Sequence, residues 1–433
     1  MAINDPTGFY WEWEENIRMR PWFQPVIYFN IISLLKSIFL DNPFVWAAFL
    51  RLISSCLGFL SILYLYFTFK DYFFKNNKIF NCFLFFSFWF YPFLHSRTSS
   101  ENLSITLFVI SFCGLFQILN SERKKFYFIN FIFFSFLMGI SMVVKFTTVF
   151  SAFPFFLWIL FFKFNFLRIV VFGLTILIAL ALGLYIDFIH WGSFKNTYYQ
   201  FYIHNLSSNE VGRMKYFGVD PWYYYFIEII KQLAPFLSLF FLIGLFLFWF
   251  KKINHSLTWV TLITLLVFSS IGHKEIRYIF PIYIFAPLFI AYFIEHIKNI
   301  NLKKFIQYIA IFSNIIFLFI TLFFPPNTKV GVYEYLFYNL ENKEKVFYTD
   351  ENPYLVNNME PFFYTKFIPE INHIKKNAAI LKNIWIVTNN YDDLNYYLNK
   401  NCKVRYNTYP KAVTNLNENW KRLKLNWSIL YCK

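Results

Sequence analysis

The feature that most constrains this chain is a succession of apolar runs, each roughly 16 to 25 residues long, separated by short polar loops. As helices, such runs match a hydrocarbon core about 30 Å thick, because a helix satisfies its own backbone where no water can. They fall at 44–69, 79–95, 103–119, 126–141, 146–162, 166–189, 228–250, 256–271, 277–297 and 304–324. The pattern predicts an all-α polytopic membrane protein with about 10 transmembrane helices. Charge usage agrees: 15% of the residues are Asp, Glu, Lys or Arg, against about a quarter in soluble domains.

The net charge of +16 raises nucleic acid as a partner, but the distribution of the charge argues against it. Lys70, Lys75 and Lys78, then Arg123, Lys124 and Lys125, then Lys163 and Arg168, Lys251 and Lys252, and Lys298, Lys303 and Lys304 occupy alternate loops. Positive-inside bias puts those loops in the cytoplasm. The other loops (95–102, 141–146, 190–227 and 272–276) then face the opposite side, together with both chain ends. Three parts follow: an outer-face segment 1–43, a multi-span domain 44–324, and a tail 325–433 on the outer face. Residues 26–40 read as a helix along that face. Short apolar pieces such as Asn383 to Asn390 make the tail a small α/β domain. Cys402 and Cys432 lie in it, and could pair if it faces an oxidising compartment.

The unusual polar residues gather on the outer side. In "SSIGHKEIRYIFPIY", Ser269 to Tyr283, four chargeable side chains separate two apolar runs. If a helix begins there, His273 and Arg277 share a face, Lys274 is about 60° from Arg277, and Glu275 points elsewhere. Converging donors at a helix start suit a phosphate or pyrophosphate. Snorkelling cations are the plain alternative, yet this side is the one positive-inside bias depletes, and snorkelling needs no Glu. A long outer loop carries Gly218, Asp220, Pro221, Trp222 and Tyr225; its aromatics suit either an interfacial belt or a sugar site. The N-terminal segment places Trp11, Glu12 and Trp13 together, and "HSRTSSENLS" sets Arg97 and Thr98 ahead of Glu101, a possible ion-pair partner for Arg97. Phosphate loops, HExxH, CxxC pairs, GxSxG and dense His/Asp clusters are missing from the sequence. ATP coupling and zinc hydrolysis therefore lack support. N-x-S sequons begin at Asn102, Asn205 and Asn426.

Taken in order, these pieces resemble glycosyltransferase family 22, the multi-spanning GT-C mannosyltransferases of GPI-anchor and asparagine-linked glycan assembly. "HKEIRYIFP" resembles the family's HKExRF-type signature, and "YWEW" (Tyr10 to Trp13), followed by Arg18, resembles its TWEW. "SRT" (Ser96 to Thr98) matches its SRT element, and "YFGVDPWYYY" (Tyr216 to Tyr225) its YGxxPWxxY loop. The resemblance implies a GT-C fold and inverting transfer of mannose from a polyprenyl (dolichyl) phosphate mannose donor to a lipid-linked glycan or GPI-type glycolipid. It implies no metal or other cofactor. His273, Lys274 and Arg277 would hold the donor phosphate, with Glu275, Trp11, Glu12, Trp13, Arg97 and Thr98 as motif residues. Gly218, Pro221, Trp222 and Tyr225 would line a sugar or acceptor groove.

The chain also departs from the family. Its RPT element reads "KFT", Lys145 to Thr147; its Asn and Glu after SRT fall on Glu101 and Ser104; and Asp220 replaces the usual His before PW. The family's base belongs to an HPDE-like loop ahead of TWEW, so the catalytic acid is expected upstream of residue 1 and is unknown here. The rival expectations are an inactive lipid-linked-sugar binding subunit and a lipid or sugar transporter. A transporter would need polar residues at mid-membrane rather than at one face. The expected location is a multi-pass membrane protein: in the endoplasmic reticulum membrane with a luminal site if eukaryotic, in the inner membrane with a periplasmic site if bacterial.

Overall fold

The structure, a computed structural model, describes residues 17–38, 41–74, 77–120, 127–205, 218–324, 327–341, 344–354, 371–374, 383–409 and 426–432. Trp11, Glu12 and Trp13 lie outside the described residues. Two compact units divide the chain: residues 1–38 with 48–323, and residues 39–47 with 324–433.

The described residues of the first unit form helices joined by loops. Pro43–Phe73, Ser100–Asn120, Phe166–Trp191 and Ile300–Phe323 are long and apolar enough to cross a membrane. Counting each bent pair, Pro235–Lys251 with Ser256–Ser270 and Ile276–Tyr283 with Ala286–Glu295, as one span gives up to six among the described residues. Other runs expected to span form shorter helices: Tyr127–Val144 and Val149–Phe162 are separated by a 3-10 turn at Phe146–Thr148, near the loop expected there, whereas the run from 79 breaks into Lys78–Phe86 and Phe90–His95. Ser100–Asn120 is central, with 67% of its most apolar window buried inside the protein, whereas Ile300–Phe323 has only 17% buried. Apolar side chains such as Leu177, Ile178, Phe312 and Phe319 are therefore exposed. For those positions hydrocarbon is the favourable solvent, which makes this a multi-pass membrane protein. Phe23–Ile38 also exposes Phe29, Leu34 and Ile38.

Backbone groups freed by the helix break are satisfied from a neighbour. The Asn314 amide, fully buried in Ile300–Phe323, donates to the Ser87 carbonyl at 2.9 Å and accepts the Trp89 N–H at 3.0 Å. At membrane depth an unpaired amide costs several kcal/mol, so a buried Asn at this point stabilises the break. The helices Pro235–Lys251 and Ala286–Glu295 cross closely enough that a Cβ on Gly244 would strike the Phe289 carbonyl; only glycine permits that approach.

The second unit holds a five-stranded sheet of order β2-β1-β3-β5-β4, with β1 Lys345–Tyr348, β2 Ile371–His373, β3 Ile384–Thr388, β4 Cys402–Asn407 and β5 Ser428–Cys432. β1 pairs in parallel with β2 and β3, while β5 runs antiparallel to β3 and β4. All five β3 residues are buried, as a central strand covered on both faces requires. Trp385 and Val387 pack with Val332 and Leu336 of Lys329–Asn339; Ile384 and Ile386 pack with Tyr397 of Tyr391–Leu398. Cys402 and Cys432 form a disulfide across paired positions of β4 and β5.

Candidate active site

Four short segments of the first unit build one charged network. Glu101 lies in the first turn of Ser100–Asn120, where the helix dipole favours a carboxylate. Its Oε1 is 2.9 Å from Lys145 Nζ and 3.4 Å from Arg277 Nη1. Lys145 follows the last turn of Tyr127–Val144 in an extended conformation. Ser104 fixes the packing behind this pair: its hydroxyl donates to the Ser141 carbonyl at 2.8 Å and bonds the Thr148 hydroxyl. The Ser104 hydroxyl therefore ties the helix of Glu101 to both ends of the Lys145 bend.

Arg277 is held a second time, by its Nε to the Glu275 carboxylate, and His273 Nε2 lies 3.2 Å from the other Glu275 oxygen. Glu275 thus bridges the two residues rather than pointing elsewhere. Residues 273–275 do not share helix faces because they are not helical: Glu275 is extended and a 3-10 turn at Ile276–Ile279 follows. Pro281 explains this, since a helix running through it would lose the hydrogen bond to the Arg277 carbonyl; the proline instead opens Phe280–Tyr283. The Arg277 side chain stays 39% exposed, so part of its donor fork remains accessible to an oxyanion.

Lys274 points the other way. Its ammonium donates to the carbonyls of Ile271 (2.6 Å), Asp220 (2.8 Å) and Gly272 (3.4 Å), and the residue is 4% exposed. All three protons are engaged. The Asp220 N–H donates to the Gly272 carbonyl at 3.0 Å and its carboxylate accepts from the Lys274 N–H. The structure therefore joins the segment at Asp220 to the HKE segment. Within that loop, Gly218 has φ +81°, a left-handed geometry that favours glycine. Gly218, Pro221 and Trp222 are exposed, Trp222 at 68%, whereas Tyr225 is fully buried. These four do not share one surface.

The Arg97 guanidinium stacks on the Phe93 ring at 3.8 Å, and Glu101 pairs with Lys145 and Arg277 instead of Arg97. The ion pairs of Glu101 described here are long-range ones. The Asn102 side-chain amide donates to the carbonyls of His95 and Arg97, which shapes the SRT loop and buries the first sequon. The Gln24 amide reaches the Thr98 carbonyl at 3.0 Å. Asp187, buried in Phe166–Trp191, accepts the Trp22 N–H and the Thr197 hydroxyl, both at 2.7 Å. Among the described residues no three His, Cys, Asp or Glu side chains group as metal ligands. Sequence reasoning missed Lys145 and Asp187 as site-building residues and reduced Glu101 to a local pair. The available signal was a charged residue inside or beside each apolar run.

The helical fold that carries this cluster has likenesses among solved structures. The chain is similar to the crystal structure of ArnT from Cupriavidus metallidurans bound to undecaprenyl phosphate, at TM-score 0.55 and 9% identity, over 95% of this chain and 87% of that one. The apo form of the same protein aligns at TM-score 0.50 and 10% identity, over 88% and 83% of the two chains. This likeness is one of fold. The chain belongs to the Alg9-like mannosyltransferase family, which it matches over residues 6–362. It is 26% identical over 298 residues to GPI alpha-1,2-mannosyltransferase 3 of Bos taurus, covering 67% of this chain and 51% of that protein. To the Homo sapiens protein of that name it is 26% identical over 303 residues, covering 67% and 50%. To Mannosyltransferase APTG1 of Arabidopsis thaliana it is 24% identical over 284 residues, covering 65% and 50%. The chain spans about half the length of the curated relatives it matches.

Proposed function

We propose that this chain is an inverting hexosyltransferase that moves mannose from a polyprenyl (dolichyl) phosphate donor to a lipid-linked glycan or GPI-type glycolipid. The observation that carries the reading is Arg277, aligned by Glu275 and Glu101 yet still partly open. A phosphate leaving group develops charge as the glycosyl bond breaks, and a prearranged guanidinium stabilises that charge. His273 joins Arg277 at the phosphate, and Lys274 acts by holding the turn that presents both. Trp222 offers an exposed ring to the sugar or acceptor. Family membership and relatives with mannosyltransferase names support the transferred group.

The site faces the lumen of the endoplasmic reticulum, and the short helices bring the crossings to about ten. The Cys402–Cys432 disulfide supports an oxidising outer face for the second unit, as does the placement of Lys and Arg in alternate loops.

The test is transfer of mannose by the chain in liposomes supplied with polyprenyl phosphate mannose and a lipid-linked acceptor. Arg277→Gln is expected to lower kcat about 100-fold without loss of folded protein. Transfer by this variant at the wild-type rate would refute the phosphate role.

A further inference from the structure

Asp187 is the only acidic residue of Phe166–Trp191 and is 1% exposed. Its two oxygens divide between separate segments: Oδ1 accepts the Trp22 N–H from 165 residues away, and Oδ2 accepts the Thr197 hydroxyl, both at 2.7 Å. Burying an acid in an apolar helix costs free energy that a nonpolar side chain would not incur. Two short, directional contacts instead fix one register between the segments that supply them. Neighbouring contacts complete the seat: the Arg18 guanidinium donates to the Ser193 hydroxyl and lies 5.0 Å from the centre of the Trp191 ring, and the Trp22 ring stacks on His190 at 5.3 Å. Residues 18–22 are thereby docked on the end of Phe166–Trp191.

The docked segment reaches the transfer site from two directions. On one side, the Gln24 amide donates to the Thr98 carbonyl at 3.0 Å, three residues ahead of Glu101. On the other, Thr197 opens the helix Thr197–Asn205. The next residue, Tyr198, stacks its ring at 5.5 Å on Phe146, which follows Lys145 in the chain, while its hydroxyl donates to the Leu180 carbonyl at 3.2 Å. Met19 and Pro21 line the same narrow crevice as Val144 and Lys145. Glu101, held between Lys145 and Arg277, thus has both of its supports, the Thr98 loop and the Lys145 bend, packed against segments that meet at Asp187.

We propose that Asp187 is a positioning residue for transfer: it docks residues 18–24 and the start of Thr197–Asn205 so that the Thr98 loop and the Lys145 bend hold Glu101 where it aligns Arg277. The assignment rests on the reading of Arg277 as the residue that meets the donor phosphate. Asp187 acts through these segments and not on the substrate, so its contribution falls on the alignment of the guanidinium as charge develops.

The test uses the full chain, with trypsin in detergent and mannose transfer in liposomes. Trypsin cuts after Arg18 but not after Arg20, which precedes Pro21. Arg18 is 6% exposed, so cleavage there reads the dock independently of activity. Asp187→Ala is expected to speed that cleavage about tenfold and to lower kcat about tenfold with the donor KM unchanged. Asp187→Asn, which keeps an acceptor for the Trp22 N–H, should recover most of both. Should Asp187→Ala fail to accumulate as folded protein, Thr197→Val removes one contact at nearly constant volume and should show about a threefold effect on each readout. Added to Glu101→Gln, Asp187→Ala should lower kcat no further, because both act on Arg277 through Glu101. Losses that multiply in full would put Asp187 outside that route and overturn the proposal, as would faster cleavage with unchanged kcat, or no change in either. A wild type protected at Arg18 that transfers no mannose would instead refute the transferase reading and with it the positioning role, while the dock itself would stand.

Discussion

Replacing Glu101 by Gln tests the network at its centre. The substitution keeps the side-chain shape and removes a charge 2.9 Å from Lys145 and 3.4 Å from Arg277. At an effective dielectric near 20, each attraction is about 5 to 6 kcal/mol before desolvation. The Arg277 share must be discounted, since that side chain is 39% exposed and solvent screens it. The Lys145 share survives better, because Lys145 and Glu101 side chains are only 8% and 16% exposed. Breaking one partner of a buried pair costs about 3 to 5 kcal/mol, and the lower figure suits a site open to solvent at one end. Losing the second anchor on Arg277 should lower kcat about 100-fold or more, equivalent to about 3 kcal/mol of transition-state stabilisation. KM for the donor should not rise, because removing a negative charge beside a phosphate site does not weaken phosphate binding. The assay is mannose transfer from polyprenyl phosphate mannose with kcat and KM separated, alongside thermal melting. A raised KM with unchanged kcat would refute the reasoning, since it would make Glu101 a ligand of the substrate rather than a holder of cations. Unchanged kcat with lowered melting temperature would reduce Glu101 to a structural residue.

Three further outcomes follow from the same geometry. Lys274→Met should lower stability by about 2 to 3 kcal/mol, because the Ile271, Asp220 and Gly272 carbonyls lose their shared donor; Lys274→Arg, with its planar fork, should rescue poorly, as read by melting temperature. Lys145 is lowered to about 8, by burial first and Arg20 next, against the pull of Glu101; between about 8 and the ordinary lysine value the unfolded chain holds more protons, so the Lys145 contribution to stability rises with pH, as read by melting temperature. Reducing the disulfide, which spans a sequence separation of 30, should cost the second unit roughly 3 to 4 kcal/mol by chain entropy; a proteolysis pattern unchanged by reductant would count against this.

How much was legible can be judged from particular residues. Apolar runs specified helices almost everywhere, because a backbone in hydrocarbon must satisfy itself locally. The short apolar piece from Asn383 to Asn390 gave β3, whose side chains alternate between two packed faces. The break at Ser87 was not legible, because hydropathy measures the length of an apolar run while this break depends on a contact from elsewhere, the Asn314 amide.

The sequence by itself determined the helical membrane class and the family likeness, since both follow from local composition and order. Tertiary structure alone decided which charges meet. Arg97, four residues from Glu101, stacks on Phe93, while Glu101 takes Lys145 and Arg277 from 44 and 176 residues away along the chain. Coulomb attraction depends on distance in space and on local exclusion of water, and neither is set by separation along the chain.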